Sequence, residues 1–310
     1  MHANEFMEIN KIYQGDALSV LKTLAGDSVD CCITSPPYWK LRDYEIKGQL
    51  GDEPHFSLFI DNLCAIFSEI KRVLKPTGTC FVVLGDTYNG DKKGNGDIKN
   101  PNVNTKSFLK VKIDTIKNKC LLMIPARFTI KMIDMGWILR NQNIWHKPNQ
   151  MPSSVTDRFI VDFENVFFFV KQQKYFFDHL AVQEGSIWAE YDHRFKDGAT
   201  RGGKTISGKY AMNSGGAYQK SGMRNKRSVW SINTEPFGDA HFATYPQELV
   251  NVCIKAGCPE GGIVIDPFMG AGTTGLVARK LNRNYIGIEL NQKYIDIAEK
   301  RIFNEIGLFL

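Results

Sequence analysis

Apolar residues fall into two spacings along this 310-residue chain, and the switches between them mark out its elements. Lys11-Ile12-Tyr13 predicts a short strand, and Ala17, Leu18, Val20, Leu21 and Leu24 then lie on one helical stripe closing near Gly26. Val29 to Ile33 predicts a second strand. Phe56, Phe59, Ile60, Leu63, Ile66, Phe67, Ile70, Val73 and Leu74 recur at intervals of one, three and four, the clearest amphipathic helix in the sequence. Lys75-Pro76-Thr77-Gly78 stops it, and Thr79 to Leu84 predicts a buried strand. This alternation over residues 11–84 implies a parallel sheet covered by helices on both faces. Residues 86–119 are polar and read as a surface insert. A helical stripe follows from Leu121 to Met135. Two further strands, Trp137 to Trp145 and Glu164 to Val170, are close enough in sequence to pair antiparallel at one sheet edge. The rhythm breaks over 171–235, read as a distinct insert, and resumes at Pro246. A helix to Ala256, a strand Ile263 to Ile265, a glycine-rich turn, a helix to Leu281, a strand Tyr285 to Ile288 and a helix from Asn291 complete it. The expected fold is α/β, a doubly wound, mostly parallel sheet built from residues 1–170 and 236–310 around the insert.

Composition narrows the class. Hydrophobic residues are 43% and charged ones 23%, ordinary globular usage that excludes a wholly disordered, collagenous or coiled-coil chain. No apolar run suggests a membrane span, and Met1-His2-Ala3-Asn4-Glu5 lacks the order of a signal peptide, so a cytosolic (cytoplasmic) protein is expected. The seven cysteines form no CxxC pair; reduced thiols are expected, with neither a disulfide framework nor a metal site. The formal charge is +6, and its distribution says more than its size. From Arg201 to Ser228 the chain carries Arg201, Lys204, Lys209, Lys220, Arg224, Lys226 and Arg227 among six glycines, without one Asp or Glu. Such a stretch is either a solvated loop or a segment that wraps a nucleic acid backbone and contacts its phosphates.

Two constellations carry chemistry. Asp266-Pro267-Phe268-Met269-Gly270-Ala271-Gly272-Thr273-Thr274-Gly275 follows a predicted strand and opens a helix, with glycines at the GxGxxG spacing that brings a ligand close to the backbone. Glu289 ends the next strand, where a carboxylate accepts hydrogen bonds from the ribose of an adenosine cofactor. The spacing alone suits NAD as well as S-adenosylmethionine. The carboxylates of Asp16, Asp266 and Glu289 are more compatible with a sulfonium and an amino group than with a pyrophosphate. The second constellation is Ser35-Pro36-Pro37-Tyr38, at the end of another strand. Consecutive prolines force a stiff, extended loop. The exocyclic amine of a nucleobase is a poor nucleophile, so a catalyst must hold its hydrogens with acceptors. Ser35 Oγ and the Pro36 carbonyl could do so, the second proline Pro37 fixing their direction and Tyr38 offering a face to an extruded base. The plain alternative is a diproline loop with a tyrosine in the core.

Together these motifs resemble the amino-group DNA methyltransferases, which methylate cytosine N4 or adenine N6. Their catalytic motif reads (D/N/S)PP(Y/F), and the serine form, here Thr34-Ser35-Pro36-Pro37-Tyr38-Trp39, is typical of the N4-cytosine branch. The cofactor motif matches at 266–274, and the catalytic half precedes the cofactor half, as in the permuted β group. The resemblance covers roughly residues 8–85, 121–175 and 228–306. It implies a Rossmann-like S-adenosylmethionine-dependent methyltransferase fold acting on double-stranded DNA, with 171–235 as the target recognition region. Asp16, Thr34 and the segment Phe242-Ala243-Thr244-Tyr245 join Asp266, Pro267, Phe268, Gly270, Gly272, Thr273, Thr274 and Glu289 at the cofactor. Trp145-His146-Lys147-Pro148-Asn149 resembles the loop lining the target-base pocket. A cognate restriction endonuclease acting on the same site, and a homodimer, are compatible with the resemblance. No cysteine sits in a Pro-Cys loop, which argues against ring-carbon methylation through a thiolate.

Overall fold

In a computed structural model the described residues are 8–41, 48–90, 112–185, 223–235 and 244–307. Along the chain they form β1 (Lys11–Gln14), α1 (Ala17–Leu21), β2 (Val29–Thr34), α2 (Phe56–Val73), β3 (Leu74–Leu84), α3 (Ile124–Asp134), β4 (Ile138–His146) and β5 (Phe163–Val170). Then come β6 (Glu184–Gly185), β7 (Met223–Arg224), β8 (Val229–Ser231), α4 (Gln247–Gly257), β9 (Ile263–Asp266), α5 (Thr273–Lys280), β10 (Asn284–Glu289) and α6 (Gln292–Gly307).

Eight strands make one sheet in the order β1-β10-β9-β2-β3-β5-β4-β8. All run parallel except β5, which is antiparallel to both β3 and β4. The pleat sends alternate side chains to opposite faces. Cys32, Cys80, Val82, Phe167 and Phe169 join the α1, α2 and α3 side chains in one buried cluster. On the other face Phe81 stacks on Phe168, and Gly257 of α4 lies so close that a Cβ there would come within 2.5 Å of the Phe81 ring and of Thr79 Oγ1. The expected two-sided sheet is therefore what the chain builds.

Local chemistry explains the element ends. Asp16 caps α1, its Oδ1 accepting from Ser19 N at 2.9 Å. The nine buried positions of α2 are the apolar stripe already read from the sequence, with Cys64 in place of Leu74. Leu74 instead opens β3, which begins five residues earlier than expected. Pro76 is tolerated because it falls in a register break, where Leu74 pairs with Val29 and Thr79 with Cys31. The antiparallel pair β4–β5 forms as expected, but β8 adds a further parallel strand outside β4. Residues 228–231, expected inside the insert, thus contribute to the main sheet.

Two compact units result: residues 178–227, and all the rest. Within the smaller unit β6 pairs with β7, and Glu184 binds both Arg224 (3.0 Å) and Arg227 (2.9 Å). Burial raises the Glu184 pKa, but the hydrogen bonds and charges of Arg227 and Arg224 outweigh it and hold the carboxyl below its ordinary value. Arg201, Lys204, Lys209 and Lys220 lie outside the described residues, as do 91–111 of the polar insert. The insert's described end is anchored: Asn89 Nδ2 donates to the carbonyls of Ile113 and Ile116, its Oδ1 accepts from Ile113 N, and Ile113 is buried. Among the described residues all seven cysteines are free thiols, six of them buried, and no helix is long and apolar enough to cross a membrane.

Candidate active site

The crossover from β2 to β3 goes one way along the sheet, and that from β9 to β10 goes the other. Adjacent parallel strands whose connections diverge leave a crevice at their carboxyl ends. Ser35 follows β2 and Pro267 follows β9, so the two motifs meet at that crevice although 232 residues separate Thr34 from Asp266.

Asp266 is the knot that joins them. Its carboxylate, 1% exposed, accepts from Thr34 Oγ1 (2.7 Å), Thr274 Oγ1 (2.6 Å), Tyr245 Oη (2.8 Å) and Phe268 N (3.0 Å). Tyr245 and Thr274 also touch each other through their hydroxyls. Burial pushes the Asp266 pKa up while its four donors oppose the shift. Burial, with the Asp266 charge beside it, pushes the Tyr245 phenol far above its ordinary range and keeps it a donor. Asp266, Thr34, Tyr245 and Thr274 therefore spend their polar groups on fixing the crevice wall, and Thr273, whose hydroxyl accepts from Arg301, and Gly272 likewise do not line the cavity.

The wall encloses a cavity of about 300 Å³. Of the residues expected at a cofactor or a substrate, Asp16, Ser35, Pro37, Thr244, Pro267, Phe268, Gly270 and Glu289 line it. Phe242 and Ala243 lie outside the described residues, while Pro36 is buried between the two lining residues Ser35 and Pro37. The sequence reading missed Gln49, Glu53 and Asn62, which close the cavity from the α2 side. Glu53 is held there by Gly51 N (2.9 Å) and Asn62 Nδ2 (3.0 Å), and its backbone carbonyl accepts from Trp39 Nε1. No local motif announces it, because its partners are set by the loop closing over α2.

The cavity suits an adenosine-bearing cation. Gly270 has φ +51, and a Cβ there would meet nothing nearer than 3.9 Å, so the wall at this turn is open backbone. Gly272, with φ +78, has no such room, since a Cβ would come 2.8 Å from Ala298 Cβ on α6. Glu289 is oriented by Gly270 N and Asn291 N, both at 2.9 Å, one on each carboxylate oxygen, which leaves each oxygen a lone pair for a ribose hydroxyl. Burial raises its pKa, opposed by those backbone donors. Among the described residues the lining carries Asp16, Glu53 and Glu289 and neither Lys nor Arg, a complement that suits a cation better than a pyrophosphate.

A second hollow, of about 560 Å³, includes Gly85, Asp86, Gln142, Glu164 and Asn165 in its lining. Tyr38 links the diproline loop to it: the ring packs over Gly85, and the phenol donates to Glu164 Oε2 at 2.5 Å. The Ser35-Pro36-Pro37-Tyr38 loop thus has one end at each hollow.

A diverging parallel sheet, a glycine turn before a carboxylate and a diproline loop across the crevice define an amino-group methyltransferase. The chain belongs to the N6/N4 DNA methylase family, whose sequence model matches residues 29–300. It is 41% identical to the type II methyltransferase M.Cfr9I of Citrobacter freundii, over 98% of this chain and 92% of the relative. The type II methyltransferase M.SmaI of Serratia marcescens shares 35% identity over 94% of this chain and 90% of its own length. Among solved structures, the fold matches PvuII DNA methyltransferase (cytosine-N4-specific) with a TM-score of 0.63 at 19% identity, covering 96% of this chain and 91% of that one. It also matches a DNA modification methylase of Thermus thermophilus, described as putative and crystallised with S-adenosyl-L-methionine, with a TM-score of 0.59 at 22% identity, covering 96% and 94%. At those identities the structural likeness speaks for the fold.

Proposed function

We propose that this DNA methyltransferase is site-specific and transfers the methyl group of S-adenosylmethionine to N4 of a cytosine extruded from duplex DNA. The observation that carries the reading is the meeting of Ser35 and Pro37 with Pro267, Phe268 and Glu289 around one cavity lined by carboxylates. S-adenosylmethionine is the cofactor, and when bound it supplies an electrophilic methyl group on a sulfonium. The chain's own residues then have defined tasks. Glu289 holds the ribose hydroxyls, Phe268 and Pro267 give the adenosine an apolar wall, and Asp16 offers the cavity a further negative charge. Ser35 Oγ and the Pro36 carbonyl accept the two hydrogens of the target amine, which turns its lone pair toward the methyl group. As the nitrogen–carbon bond forms and the sulfur–carbon bond breaks, the nitrogen becomes cationic and acidic and loses one proton, which passes by these acceptors to solvent water. No covalent bond to the enzyme is needed.

Serine at position 35, where the family also uses Asp or Asn, favours cytosine. The type II relatives at 35% and 41% identity support site-specific modification of the kind paired with a restriction enzyme. Residues 178–227, with their basic positions, supply the DNA contacts that fix the site. Incubating the protein with labelled S-adenosylmethionine and duplex DNA, followed by nucleoside analysis, tests the proposal. N4-methylcytosine is the expected product, lost in Ser35→Ala; N6-methyladenine would reassign the target base, and full activity in Ser35→Ala would remove Ser35 from the mechanism.

A further inference from the structure

We propose that Glu164, braced by Lys147, sets the direction of a short hydroxyl chain ending at Ser35 and thereby makes that serine an acceptor. The proposal rests on the methyl-transfer reading above. Tyr38 brings its phenol to Glu164, 126 residues away on β5, where Oε2 accepts the proton at 2.5 Å. Glu164 Oε1 is engaged by Lys147 Nζ, and the two side chains are only 19% and 13% exposed. Lys147 is itself positioned, its ammonium 4.4 Å from the centroid of the Trp145 ring. On the other side of the phenol, Ser35 Oγ donates to the Tyr38 oxygen at 3.4 Å. Catalytic hydrogen bonds of this length commonly tighten once substrate is in place.

Proton counting gives the consequence. A carboxylate paired with an ammonium can only accept. The single phenol proton therefore goes to Glu164, and the Tyr38 oxygen is left to accept. Ser35 has one proton, and it is drawn to Tyr38, so the serine lone pairs remain for the hydrogens of the target amine. If the chain ran the other way, Tyr38 would donate to Ser35, the serine proton would face the substrate, and two donors would oppose each other. Glu164 does not line the cofactor cavity, and its carboxylate is engaged by Tyr38 and Lys147. It is a positioning residue that acts through Tyr38. The Tyr38 ring can reach it because position 85 is glycine: a Cβ there would lie 2.6 Å from Tyr38 Cε2.

Glu164→Gln tests this. Lys147 draws the amide oxygen to itself, which leaves the NH2 group facing Tyr38 and reverses the chain. Single-turnover methyl transfer should slow by roughly 10- to 100-fold, with the affinities for S-adenosylmethionine and DNA unchanged. In a Tyr38→Phe background, already slow, adding Glu164→Gln should change the rate less than about twofold, because the intermediary is gone. A purely structural role would instead give the same factor in both backgrounds, and that result overturns the proposal. Lys147→Met, which loosens Glu164 but keeps the carboxylate, carries the test should Glu164→Gln fail to fold. A smaller slowing that also vanishes with Tyr38→Phe is expected, and an unchanged rate overturns it. An active wild type with an undiminished Glu164→Gln defeats this proposal alone, whereas an inactive wild type defeats the underlying reading and this proposal with it.

Discussion

Glu289 ties the chemistry of the cofactor cavity to pH. Burial raises its pKa above the ordinary 4.5, while binding a cation beside it requires the ionised form. Affinity for S-adenosylmethionine should therefore be level above the raised pKa and fall as pH drops through it. Glu289→Gln should bind more weakly and lose that slope, which calorimetric titration at a series of pH values will show. Thr34→Val removes one of four donors to the buried Asp266 and should cost about 1–3 kcal/mol of stability, measured by denaturant unfolding. These residues differ in how openly the sequence presents them. Ser35, Gly270 and Glu289 declare themselves through local spacing, since loop stiffness, open backbone and strand ends are local properties. Asp266 is legible as a residue of the motif but not as a knot, because Thr34 and Tyr245 reach it only in the folded sheet. Glu53, Glu164 and the pairing of Glu184 with Arg224 and Arg227 are illegible for the same reason: each partner is chosen by tertiary structure.

Elements with a long apolar period are legible almost to the residue, α2 above all, because eighteen residues give the stripe several turns in which to repeat. Short or irregular elements are not. Three residues, Val229–Ser231, carry no period, so the sequence leaves β8 in the insert, whereas its parallel pairing with Ile144, Trp145 and His146 puts it in the main sheet. The start of β3 is hidden by Pro76, a strand breaker everywhere except at a register break. The turn into α5 shows how tightly the elements are fitted. Gly272 has φ +78 and a Cβ there would strike Ala298, so Gly272→Ala combines backbone strain with a clash against α6. Thermal unfolding should report a loss of about 2–3 kcal/mol. Gly270→Ala carries left-handed strain too, at φ +51, but meets no clash, so it should cost less stability than Gly272→Ala, while its methyl at the cavity wall should weaken cofactor binding.

At the scale of the molecule, residues 178–227 form a compact unit of their own, and the sheet that holds both motifs belongs to the other. Replacing them with a short glycine-serine linker should leave cofactor binding within about twofold. DNA binding should weaken and lose much of its salt dependence, because the basic positions go with the segment; fluorescence anisotropy across a salt series measures both effects. The strand order reaches further than the finished enzyme. β9 and β10, built from residues 263–289, slot between β1 and β2, so a ribosome must travel from residue 34 to residue 289 before the gap between those two early strands can be filled. A nascent chain stopped short of β9 has unpaired edges on both sides of that gap, which makes it a client for chaperones and a poor survivor on its own. The crevice that holds both motifs can close only once β9 and β10 have been made, so chains stopped before them do not methylate.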